Sequence, residues 1–179
     1  MESTLLRDFN LLVSTSRGNE RQMCSELEYL LEELIGDPEP AVTKTGIRGL
    51  VVAKTTLNPC EVIGKLREIL QERPYEFRYA LRIIPIERVI PTNLDEIKKV
   101  ATELAAKIGE RETFRVTVEK RFTDLHAKDI ITAVAEGIEK KVDLGHPDRI
   151  LLIEVLGGLT GISLIRPVDL LAVLKEKML

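Results

Sequence analysis

The chain has 179 residues, and its 26 Lys+Arg against 29 Asp+Glu give a formal net charge of −3. With 44% hydrophobic and 31% charged residues it is globular rather than disordered, and its acidic balance excludes a polycation that coats nucleic acid by bulk charge. Four Phe, three Tyr and no Trp argue against an aromatic base-stacking platform.

No apolar run approaches the roughly 20 residues that cross a bilayer. The start, MESTLLRDFN, lacks a basic segment followed by an apolar one, so no secretory leader is expected. Cys24 and Cys60 lie far apart, outside any metal-ligand spacing, and read as separate thiols of a cytoplasmic protein.

Phe9–Thr15 is an apolar run expected as a strand. In the next segment Met23, Leu27, Leu30, Leu31 and Leu34 recur at helical spacing until Gly36. Ala41–Lys44 and Gly49–Thr55 bracket a turn at 45–48 and predict a hairpin. Asn58 and Pro59 open a helix whose apolar face is Val62, Ile63, Leu66, Ile69 and Leu70. Arg78–Ile84 is the fourth strand. This β-α-β-β-α-β order predicts a ferredoxin-like antiparallel sheet with both helices on one side.

Pro85 and Pro91 punctuate the exit, and a domain boundary is placed near Pro91, giving domains 1–91 and 92–179. Asn93 caps a helix marked by Ile97, Val100, Leu104 and Ile108. Phe114, Val116 and Val118 alternate with Arg115, Thr117 and Glu119 in a strand. A helix is expected over 128–140, then the apolar strand Ile150–Leu156, a glycine turn at 157–161 and a returning strand. Pro167 is expected to start a final helix with Leu170, Leu171 and Leu174 inward. The second half predicts a partly parallel α/β sheet, so the class is α+β with two domains.

Catalytic signatures are absent from this order of residues. His126 and His146 fall in loops, and neither a nucleophile elbow nor a Cys–His signature accompanies them. There is no phosphate loop and no strand-following GxGxxG, so no cofactor is expected. Gly157, Gly158 and Gly161 lie between two strands and read as a hairpin turn. Glu26, Glu32 and Glu33 read as a solvated helix face.

Neither half is basic as a whole, but Arg111–Lys128 is locally +2. Lys120 and Arg121 close a strand just before a helix, where side-chain charge and free amides together make a phosphate cradle.

The ordered set TFRVTVEKRF, the following helix, Val142-Asp143-Leu144, Pro147-Asp148, the strand through Glu154 and Gly161-Ile162-Ser163 resembles a THUMP domain over 92–166. The first half is similar to the ferredoxin-like domain that precedes THUMP in a stand-alone subgroup assisting N4-acetylcytidine formation in tRNA. The resemblance implies tRNA binding through the acceptor stem and single-stranded 3′ end, with a separate RNA acetyltransferase as partner and no catalytic residues here. By matching position it carries RNA contact first to Lys120 and Arg121, then to Arg115 and Lys128, and further to Arg111, Arg149 and Arg17. The rival readings are the RNA-binding subunit of a split tRNA methyltransferase or thiolation enzyme, and a protein-interaction module.

Overall fold

The computed structural model describes residues 4–178. Buried apolar side chains gather in two separate cores, and the chain divides with them. One unit runs to Ile86 and takes the chain back from Asp169, while the other spans Glu87–Val168.

In the first unit β1 (Leu11–Ser14), α1 (Glu20–Tyr29), β2 (Ala41–Lys44), β3 (Leu50–Lys54), α2 (Pro59–Glu72) and β4 (Arg82–Pro85) follow the predicted order. The strands are antiparallel in the order β4-β1-β3-β2, the arrangement expected of a split βαβ fold. Period-two alternation sends Leu11, Val13, Val51, Ala53 and Ile83 into one core with Met23 and Leu27 of α1 and Val62 and Leu66 of α2. Asn58 caps α2 by accepting the Glu61 N–H at 3.1 Å, with Pro59 at the first helical position.

Three local differences have physical causes. The first helix widens into a π-helical stretch over Leu30–Ile35 before stopping at Gly36, whose φ of 88° is the left-handed cap a glycine supplies. The fourth strand begins at Arg82 rather than Arg78, because the Glu26 carboxylate accepts the N–H groups of Arg78 (2.7 Å), Tyr79 (3.1 Å) and Ala80 (2.9 Å). Glu26 therefore anchors backbone, whereas Glu32 and Glu33 are exposed as expected.

The third difference is the chain end. Pro167–Asp169 forms a single 3₁₀ turn, and Leu171–Ala172 is a strand, β10, that pairs with β4 through Leu171↔Ile83 and Ala172↔Arg82. Only Val173–Lys177 is helical (α5). The segment expected to close the second domain thus extends the first sheet. Its anchors are long-range: Arg67 Nε to Glu176 Oε1 at 2.6 Å, Arg67 to the Leu170 carbonyl at 2.9 Å, and Lys177 Nζ to the Phe77 carbonyl at 2.6 Å.

The second unit comprises β5 (Arg88–Pro91), α3 (Leu94–Ala105), β6 (Thr113–Arg121), α4 (Ala127–Glu136), β7 (Lys141–Val142), β8 (Arg149–Leu156) and β9 (Leu159–Ile165). Its sheet order is β5-β9-β8-β6-β7, with β6 parallel to β7 and β8 and the other pairs antiparallel. This is the partly parallel sheet expected of the second half, and the class is mixed α/β throughout. The four-residue β5 and two-residue β7 were not expected; both take their place from a neighbouring strand rather than from their own pattern. Ile97, Val100 and Leu104 of α3 and Ile130 and Val134 of α4 pack on Phe114, Leu151, Ile153 and Ile162. The Asn93 cap is confirmed, its side chain accepting the Glu96 N–H at 3.1 Å.

Candidate nucleic-acid interface

The candidate interface lies where β6 ends and α4 begins. Phe114, Val116 and Val118 line the core side of β6, which sends Arg115, Thr117, Glu119 and Arg121 to the opposite face. Lys120 is exposed at the end of the strand, and its Nζ donates to the Leu125 carbonyl at 3.0 Å. That bond lays the ammonium along the 122–126 loop, two residues before α4. The loop has internal order: the Leu125 N–H donates to Thr123 Oγ1 at 3.2 Å. His126 occupies the N-cap position of α4, yet no side chain caps the helix. The Asp129 N–H donates to the His126 carbonyl at 3.0 Å, so the N–H groups of Ala127 and Lys128 and the helix dipole are what α4 offers an anion, with the exposed Lys128 side chain in the first turn. Asp124 and Asp129 moderate the local charge.

Arg121 is held differently from its neighbour. Its guanidinium lies 3.7 Å from Glu154 Oε2 on β8, and Glu154 is only 2% exposed. The pair sits diagonally across the parallel register that matches Glu119 with Glu154 and Arg121 with Leu156. Arg121 thus holds a buried carboxylate, while Lys120 presents its charge to solvent.

The remaining sequence candidates lie elsewhere. Arg149 pairs with Phe114 at the start of β8, seven registers from the Arg121 end, or roughly 23 Å along the strand. There it is 3.5 Å from Glu112 Oε1, with its side chain largely buried. Arg111 is exposed just before β6 at that same far end. Arg115 bonds Thr117 Oγ1 at 3.3 Å and the Leu144 carbonyl at 2.9 Å, which ties the 143–148 loop to the sheet. Arg17 is exposed in the turn before α1, in the first unit. Of the seven, Lys120, Arg121 and Lys128 share one locality.

The acidic residues of the resemblance are structural. Asp143 Oδ1 accepts the His146 N–H at 2.9 Å and the Gly145 N–H at 3.0 Å, and the His146 bond first among these holds its carboxyl below the usual range. Asp148 Oδ2 accepts from the Thr113 N–H at 2.8 Å, fixing where β6 starts. The glycine turn is a two-residue hairpin closed by Leu156↔Leu159, in which Gly157 alone has positive φ (63°).

One residue at the site escaped the sequence reading. As the first residue of the loop that follows Lys120-Arg121, Phe122 carries no expectation of strain. Instead its φ is +53° and it is 81% exposed. Alternation carries no signal for a break of this kind; only the backbone does.

Among the described residues no group of three or more His, Cys, Asp or Glu is placed to hold a metal ion, and no helix is long and apolar enough to cross a membrane.

Comparison with known proteins agrees with this architecture. Residues 91–165, within the second unit, match the THUMP domain family. The chain is 29% identical over 131 residues to the "THUMP domain-containing protein 1 homolog" of Drosophila melanogaster, covering 68% of this chain and 40% of that protein. Among solved structures it is similar to PH1313 from Pyrococcus horikoshii, with a TM-score of 0.61 and 22% identity over 89% of this chain and 55% of that one. A 4-thiouridine synthetase solved as an RNA complex with bound ATP shares the fold at a TM-score of 0.54 and 15% identity, over 89% of this chain and 42% of that one. The chain spans 40% of the length of the curated relatives it matches.

Proposed function

We propose that the chain is a cytoplasmic tRNA-binding adaptor that has no chemistry of its own. It presents tRNA, gripped at the acceptor stem and single-stranded 3′ end, to an RNA cytidine acetyltransferase for N4-acetylcytidine formation. The observation that carries the RNA half is the THUMP domain with exposed Lys120 at a strand end beside the uncapped start of α4. Lys120 and Lys128 neutralise phosphates, and the α4 amides fix the strand's register. Arg121 holds the strand end through Glu154 and adds its charge from behind. The adaptor half is supported by the resemblance of the chain to the stand-alone subgroup.

Mobility shifts with intact tRNA and with tRNA trimmed of its 3′ end test the RNA half. Binding that weakens on trimming is expected; no shift at low salt would sink the reading. An acetylation assay with and without the chain tests the adaptor half, which fails if product formation by the acetyltransferase is indifferent to it. The THUMP match and the fold shared with a 4-thiouridine synthetase favour one second reading, the RNA-binding part of a split tRNA-modifying enzyme. Co-purification of a methyltransferase or thiolation enzyme in place of an acetyltransferase would establish that alternative.

A further inference from the structure

Phe122 combines three properties that packing does not explain. Phe9, Phe77 and Phe114 are 2%, 1% and 1% exposed, whereas Phe122, the fourth phenylalanine of the chain, is 81% exposed. It is the one non-glycine residue among the described residues with positive φ, a conformation that a bulky side chain adopts only under strain. It also follows directly on Lys120 and Arg121. Burial rewards neither the ring nor the backbone here, since folding removes little of its apolar surface from water.

The backbone that carries the ring is held from the neighbouring turn and loop. The Gly157 N–H donates to the Arg121 carbonyl at 2.8 Å, pinning the residue before Phe122 to the β8–β9 turn. Gly157 stands against it: a Cβ added there would lie 3.9 Å from the Phe122 Cβ. On the other side, Lys120 Nζ ties down the loop at Leu125. The exposed ring thus stands on a fixed strand end, two residues after Lys120 and four before the N-cap of α4. A phosphate at Lys120 and α4 would set the adjoining nucleotide beside this face, and a base stacks on it only when unpaired.

We infer that Phe122 is a stacking residue for an unpaired nucleobase, and that it reads the single-stranded end of the RNA while Lys120 and the α4 terminus read phosphate. The inference rests on the RNA reading proposed above and adds a source for its preference for a single-stranded end. A single ring suffices, so the low aromatic content of the chain is no obstacle.

Two RNAs with the same stem, one blunt and one with a single-stranded 3′ end, test it by fluorescence anisotropy with the full chain. Wild type is expected to prefer the overhang. F122A and F122G should bind the overhang RNA about 5- to 150-fold more weakly and leave the blunt duplex unchanged, and F122W should restore the preference. Glycine adopts φ near +53° freely, so F122G should melt no lower than wild type, which separates lost stacking from lost fold. A 2-aminopurine in the overhang should be quenched by wild type and less so by F122G. Equal overhang binding by wild type and F122G would overturn the stacking role while leaving the RNA reading intact. Wild type binding neither RNA would overturn both.

Discussion

Asp37 is 1% exposed and accepts four hydrogen bonds: from the hydroxyls of Thr55 and Thr56, both at 2.5 Å, and from the N–H groups of Thr56 and Glu39, both at 3.1 Å. Burial pushes this carboxyl up, but the Thr55 and Thr56 bonds and the backbone donors together outweigh it and hold it below the usual range. A depressed carboxylate stabilises the fold fully above its unfolded value near ~3.9, and the contribution is lost as pH falls through the folded value. D37A should therefore cost about 2–4 kcal/mol at neutral pH, measured by urea unfolding, and the difference from wild type should shrink in acid. The cationic pair at the β6 end divides in the same way by environment. R121A leaves Glu154 buried without its guanidinium and should lower the melting temperature, whereas K120A, at an exposed site, should leave it within a degree or so.

At the scale of elements, the chain end carries the clearest test. Leu171 is fully buried beside β4, while Leu174 is 60% exposed. Helical periodicity from Pro167 puts both on one inward face, but a strand followed by a five-residue helix separates them. L171A should cost about 2–4 kcal/mol by the lost transfer and cavity terms, and L174A less than about 0.5 kcal/mol, both read from denaturant midpoints. Equal effects would restore the helical reading. The same scale explains why β4 starts late: a carboxylate on α1 takes the backbone donors that a longer strand would use.

For the whole molecule, the charge of −3 is an average over two units, and the proposed RNA contact is confined to one end of one sheet. Few phosphates can then be neutralised at once. A plot of log K against log salt for tRNA binding should have a shallow slope of about −2 to −3, and the double variant K120E/K128E should reduce its magnitude by about 2. A slope near −8 would mean a far wider basic surface than Lys120, Lys128 and α4 provide.

The amino-acid sequence by itself determined the β-α-β-β-α-β order of the first unit, the α3-β6-α4-β8-β9 succession of the second, the Asn58 and Asn93 caps, the β8–β9 hairpin and Lys120 at a strand end. These depend on periodicity, capping and turn chemistry, which act within a few residues and are written locally. Tertiary structure alone decided that the last strand joins β4, that Glu26 ends a strand start 52 residues away, that Arg121 answers a buried Glu154, and that Phe122 takes a positive φ with its ring exposed. Each of these depends on a partner distant in the chain or on a backbone angle, and neither leaves a mark in composition or spacing.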